Sequence, residues 1–410
     1  MNKNYLYIGG AALIIGVSVW FIFFSGPSKT PTSTPNTTTS GETRTTTVGA
    51  QAGTQTNVPS ASGPGASGTA GGIIFKIDNG PVAAATFMQT TRPTTTIARY
   101  VMQENAHVFD LAVDTPGAVA RSVSNTTVPG ITQAQWAAGG TTALLQYIDG
   151  GTVKTLSLTL PPASASSTSR TARMRFLPDG ITGAAFSPDG KSVAYLLTSA
   201  AGADGYTALA DGSSAKKLFS LPLSQLVLSW PSAGTLLAYS KSSAGVPGVV
   251  FSVTTSNGSV TPLLYAEGVS VTADRSLSYV MYQTTPSASQ VSSSYVRNMK
   301  TGINTSISFD PYPEKCAWSP TAAFGVYCTR PLSYASQTYI DGWHKGTDSA
   351  SDGIFGYNFQ THRSAIIAVP GGKDGGIPSD ILSLAVSPGD QYLLFIKKDD
   401  HSLWGIRLGQ

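Results

Sequence analysis

Side chains able to do chemistry are few in this chain, and most of them are scattered. The two cysteines, Cys316 and Cys328, flank the turn-prone Pro320-Thr321-Ala322-Ala323. If the flanking strands pair about residue 322, the two thiols face each other across a hairpin. There they can close a disulfide in an oxidising compartment, or stay reduced as small apolar fillers. The histidines, His107, His344, His362 and His401, occur singly, with no His-x-x-x-His, Cys-x-x-Cys or EF-hand spacing. No metal or cofactor is therefore expected. A Gly-x-Ser-x-Gly elbow and a phosphate-binding Walker loop are also absent, so no catalytic residue is assigned.

One stretch gathers reactive and adhesive groups: SYASQTYIDGWHKGTDSASDGIFGYN, Ser333 to Asn358. Tyr339, Trp343, His344 and Tyr357 form its candidate partner-binding set, because aromatics beside polar groups in a loop suit recognition of a protein or glycan. The competing reading is a decorated hairpin whose aromatics pack on their own sheet. Asp341, Asp348 and Asp352 lie in the same stretch, at a spacing that matches no calcium loop.

The elements that must position these groups are β-strands. From residue 73 the chain reads as short β-prone runs divided by Gly, Pro, Ser and Asp. Ile181 to Ser199, ITGAAFSPDGKSVAYLLTS, is a strand, a tight Pro-Asp-Gly turn and a returning strand. Weaker copies surround Trp136, Trp230, Val271, Trp318 and Val386, about 41 to 50 residues apart until a longer last interval. A period near 40–50 residues with four strands per repeat predicts the blades of a β-propeller. An open pair of β-sandwiches is the alternative. Val82–Phe87, Ile97–Gln103, His107–Val113 and Val119–Ser124 supply a first blade. The C-terminal blade has three strands, and IIFKI at Ile73–Ile77 can add the fourth, clasping the ring. That arithmetic favours seven blades, with six as the alternative.

Phe186 to Tyr195, FSPDGKSVAY, resembles the WD40-like repeat of TolB-type propellers, and the likeness extends over most of residues 80–410. It implies the same all-β fold. The wider layout, including SNTTVPGITQAQW at Ser124–Trp136, is similar to membrane-anchored proteins of candidate-phyla bacteria. That resemblance implies an address rather than an activity.

Residues 1–4 form a short tail, and Tyr5 to Phe24 contain no charge. Twenty residues at helical rise span about 30 Å, the thickness of a bilayer's hydrocarbon core. Aromatics at both ends suit the interfaces, and no small-x-small cleavage site follows. The expectation is an uncleaved single-pass anchor whose partner is the lipid bilayer. Residues 25–72 are rich in Ser, Thr, Pro and Gly and hold too little apolar surface to order themselves, which makes them a linker spanning on the order of 40 Å. The weak basic bias ahead of the helix and the pairable cysteines place the N-terminus inside the cytoplasmic membrane and the domain of residues 73–410 outside. Charged residues are 12% of the chain and the net charge is +4, without the Lys/Arg cluster a nucleic-acid partner requires.

A rigid ring held near other envelope proteins reads as a non-enzymatic protein–protein interaction scaffold with an envelope protein partner. A propeller hydrolase acting on envelope polysaccharide or peptide, and a glycan-binding or adhesion module, are the competing classes. A funnel lined by carboxylates would mark the enzyme. An uncharged funnel beneath an aromatic loop face would mark binding.

Overall fold

The computed structural model describes residues 73–91, 94–160, 171–287, 291–307, 310–321, 325–333, 338–359 and 361–408. The tail, membrane helix and linker expected at 1–4, 5–24 and 25–72 lie outside them. Among the described residues no helix is long and apolar enough to cross a membrane.

Among the described residues the strands form seven four-stranded antiparallel sheets, an all-β, seven-bladed propeller. Blade 1 holds β2–β5 (Val82–Thr91, Thr94–Met102, Val108–Ala112, Arg121–Ser124). Blade 2 holds β6–β9 (Ile131–Trp136, Thr142–Asp149, Thr152–Thr159, Arg173–Phe176). Blade 3 is β10–β13 (Ile181–Phe186, Ser192–Ser199, Gly202–Leu209, Lys216–Leu221), and blade 4 is β14–β17 (Leu226–Ser232, Thr235–Ser240, Pro247–Thr254, Val260–Glu267). Blade 5 is β18–β21 (Ser270–Ala273, Tyr279–Thr284, Ser293–Asn298, Asn304–Ile307), and blade 6 is β22–β25 (Cys316–Trp318, Val326–Pro331, Asp352–Asn358, Arg363–Ala368). Blade 7 takes β26–β28 (Ile381–Val386, Tyr392–Lys397, Leu403–Arg407) and, at its outer edge, β1 (Ile74–Asp78). Ile74 pairs with Ile406 and Lys76 with Trp404, so the N-terminal strand closes the ring as the sequence suggested.

Burial explains why the second strand of each repeat is the most apolar. A propeller sheet is covered on both faces by its neighbours, so its central strands become continuous apolar runs rather than alternating ones. Leu144 and Leu145 in β7, Val193 to Leu196 in β11 and Leu393 to Ile396 in β27 are all buried. Seven of the apolar clusters each lie between two adjacent blades. No single blade owns a core.

The repeat's turn is fixed by its own side chains. Ser187 Oγ donates to Asp189 Oδ1 at 2.6 Å and accepts from Ser192 N at 2.9 Å. Gly190 has φ +70°, and a Cβ there would stand 2.6 Å from the Ala138 carbonyl oxygen of blade 2. Only glycine meets both conditions. Ser387 repeats the arrangement in blade 7, accepting from Gln391 N and Tyr392 N. Two of the tryptophan anchors tie blades together. Trp136 Nε1 donates to Ala84 O, and Trp318 Nε1 donates to Thr272 Oγ1 on the preceding blade's inner strand. Cys316 lies directly opposite Cys328 in the β22–β23 pair, and the two are joined by a disulfide.

Candidate functional site

In an up-and-down sheet, connections into the first strand and connections from second to third strand lie on one face. On that face the link from β23 to β24 carries a short helix, α1 (Tyr339–Lys345). Seven residues are too few to hold a helix alone, so its position comes from tertiary contacts. Tyr339, Ile340 and Trp343 form one buried stripe packed against Tyr312 and Leu382. Gly346 ends the helix in the left-handed region and donates back to Trp343 O.

Four contacts brace α1 across the mouth of the central channel. Asp341 Oδ2 accepts from Ala244 N of blade 4 at 3.1 Å. His344 Nε2 lies 2.8 Å from Glu314 Oε2, at the entry to blade 6. Trp343 Nε1 donates to Asp380 Oδ1 at 2.8 Å, and Lys398 Nζ donates to Trp343 O at 2.7 Å, both from blade 7. Beneath the helix Lys315 is wholly buried, 2.6 Å from Asp352 Oδ2 and 3.0 Å from Asp380 Oδ1. Two ammonium groups approach the Trp343 ring, with Lys315 Nζ 4.7 Å and Lys398 Nζ 4.6 Å from its centroid. Such cation–π contacts strengthen where water is excluded.

Burial sets the electrostatics of this cluster. It pushes the Asp352 carboxyl up to about 6, against the opposing pull of Lys315. It also holds the Lys398 ammonium below its ordinary value. His344 is moved the other way, upward, chiefly by its hydrogen bond with Glu314.

Beside α1 a cavity of about 730 Å³ opens between the inner strands of blades 7, 1 and 2. Among the described residues its lining joins alanines, Thr86, Gln103, Thr132, Gln133, Gln135 and Ser383 to Trp136, Trp343, His344, Leu382, Leu384, Lys398 and His401, and holds no carboxylate. Glutamines 133 and 135 also border a smaller crevice between blades 2 and 3.

The structure brings Tyr339, Trp343 and His344 together on α1, but Tyr357 lies in β24. Tyr357 is 1% exposed and its hydroxyl meets His362 Nδ1 at 3.2 Å. Tyr339 and Trp343 are 4% and 6% exposed, so among these four residues His344 offers the most side chain to solvent. The aromatics face inward because, with Ile340, they form the helix's apolar anchoring stripe. Tyr334 lies outside the described residues. The three aspartates separate: Asp341 caps a backbone amide of blade 4, whereas Asp352 neutralises Lys315. Among the described residues no group of three or more His, Cys, Asp or Glu is placed to hold a metal. Sequence reasoning missed Lys315, Asp380, Lys398 and the two glutamines. Their one shared signal is position, just before an inner strand, just after a second strand or within an inner strand, where a propeller faces its axis.

No protein-family model matches this sequence, and no curated protein matches it. Solved structures do match in shape. Oligogalacturonate lyase in complex with manganese is 9% identical, with TM-score 0.54 over 82% of this chain and 93% of that one. Hydrazine synthase from Kuenenia stuttgartiensis is 13% identical, with TM-score 0.50 over 76% of this chain and 92% of that one. TolB from Acinetobacter baumannii is 13% identical, with TM-score 0.41 over 80% of this chain and 63% of that one. At such identities the likeness to the lyase and the synthase is one of fold alone.

Proposed function

We propose that this chain is a protein–protein interaction scaffold, anchored through Tyr5–Phe24 at the outer side of the cytoplasmic membrane, that engages an envelope protein on the α1 face of its ring. The observation that carries this reading is the channel mouth, a preformed hydrogen-bonding cavity whose wall holds no carboxylate among the described residues, beside a firmly braced helix. A carboxylate-dependent hydrolase needs a carboxyl group within reach of its substrate. The carboxylates under the mouth, Asp352 and Asp380, are instead 0% and 3% exposed and paired with Lys315. A glycan platform needs an open aromatic face, and Trp343 is buried, with two ammonium groups 4.7 Å and 4.6 Å from its ring centroid.

Proximity labelling in the native cell tests the reading, with the full-length chain fused to the labelling enzyme. Gln103→Arg with Ser383→Arg places two cations at the mouth and should remove a defined envelope protein from the labelled set. An identical set for wild type and variant would exclude this face. For the address, alkaline extraction should leave the chain in the membrane pellet. An impermeant amine reagent should label the ring's lysines on intact spheroplasts.

A further inference from the structure

We infer that the channel-mouth cavity takes an extended, uncharged peptide segment, which adds as a strand to the inner edge of blade 2. This deepens the scaffold reading and rests on it, by naming the part of the partner that enters. β6 is the terminal strand of its sheet. Gln133 pairs with Gln146 and Gln135 with Leu144, and the Ala137 N to Thr142 O bond at 2.8 Å fixes the phase of the ladder. An antiparallel ladder bonds alternate residues, so Ala134 and Trp136 aim their main-chain N–H and C=O away from β7, toward the channel. An inner edge of this kind is a template for an added strand.

The neighbouring walls favour β6 as the template. On β2 the Ala84 carbonyl already accepts from Trp136 Nε1, and Ala83–Ala85 present only small side chains. On β26 the lining side chains are Leu382, Ser383 and Leu384, whereas β6 offers exposed Thr132, Gln133 and Gln135. Carboxamides donate and accept, which matches the amides and neutral side chains of a peptide.

Charge complementarity sets the rest of the ligand's chemistry. The bordering cations are already engaged: Lys398 Nζ lies 3.8 Å from Asp380 Oδ2 while donating to Trp343 O and Asp348 O, and His344 meets Glu314. A charged ligand would thus be desolvated here without a counter-charge. The volume, about 730 Å³, is that of a site for a short segment. A sugar is disfavoured, since Trp136 and Trp343 are 9% and 6% exposed.

The experiment selects a display library of linear peptides on the detergent-solubilised full-length chain, then synthesises the enriched peptide. Uncharged sequences should enrich, and saturating peptide should slow amide exchange over residues 132–136 at least tenfold. Ala134→Pro removes an N–H outside the β6–β7 ladder and should weaken binding at least tenfold at unchanged melting temperature. Should that variant fail to fold, Gln133→Ala with Gln135→Ala carries the same expectation. Enrichment of charged sequences, no enrichment, protection elsewhere, equal binding by the variants, or displacement by a neutral oligosaccharide would each overturn the proposal. If the proximity-labelled partner is lost in the arginine variant while these outcomes fail, the scaffold reading stands and strand addition falls.

Discussion

At the scale of single residues, the strongest commitments are the buried charges under α1. Lys315 pairs with two buried carboxylates, so removing it leaves Asp352 without a cation and Asp380 with Lys398 alone, 3.8 Å away. Lys315→Met should cost about 3–5 kcal/mol in urea unfolding, well above an ordinary surface change. The same substitution withdraws one ammonium from Trp343 and should raise hydrogen exchange in α1. Cys316 and Cys328 act on the unfolded chain instead, closing a loop of sequence separation 12. Their reduction should lower stability by about 3 kcal/mol, read as a shifted urea midpoint with and without a thiol reductant. The sequence leaves this pairing conditional, a disulfide or two buried thiols, because two cysteines symmetric about residue 322 face each other only if the flanking strands pair in that register. Lys315, by contrast, looks like any loop lysine until Asp380, far along the chain, arrives beside it.

At the scale of elements, the repeat and the helix teach opposite lessons. The strand–turn–strand unit is local: Ser187, Asp189 and Gly190 make their own turn, and the apolar strand after it reads directly as a doubly covered one. Helix α1 is not local. Tyr339 and Trp343 at i and i+4 do carry a helical signal, but Gly342 at its centre and a length of seven residues leave no intrinsic stability. Its hold on the ring is pH-dependent through His344. The folded value lies above the ordinary 6.5, so the contact with Glu314 stabilises fully below about 6.5 and is lost as pH rises through the folded value. Amide exchange of residues 339–345 should therefore rise between pH 6 and pH 8 beyond the intrinsic rate change. Glu314→Gln should flatten that dependence, and an unchanged profile in the variant would remove His344 from this role.

At the scale of the whole molecule, closure decides stability. β1 comes from one end of the domain and completes a blade built from the other, so every sheet has four strands and every interblade layer is filled. A chain beginning at residue 73 should melt like the full-length protein. One beginning at residue 80 exposes the β28 edge and should melt at least 10 °C lower or aggregate, as read by calorimetry and size-exclusion chromatography. The sequence by itself determined the strand–turn–strand period and the all-β class, because each depends on spacing along one or two adjacent strands, and it offered the closing strand and the cysteine pair as possibilities. Only the tertiary structure decided where the loop aromatics point, which lysine is buried and what lines the channel. Those depend on residues from different blades converging on one axis, and a linear pattern carries no record of that convergence.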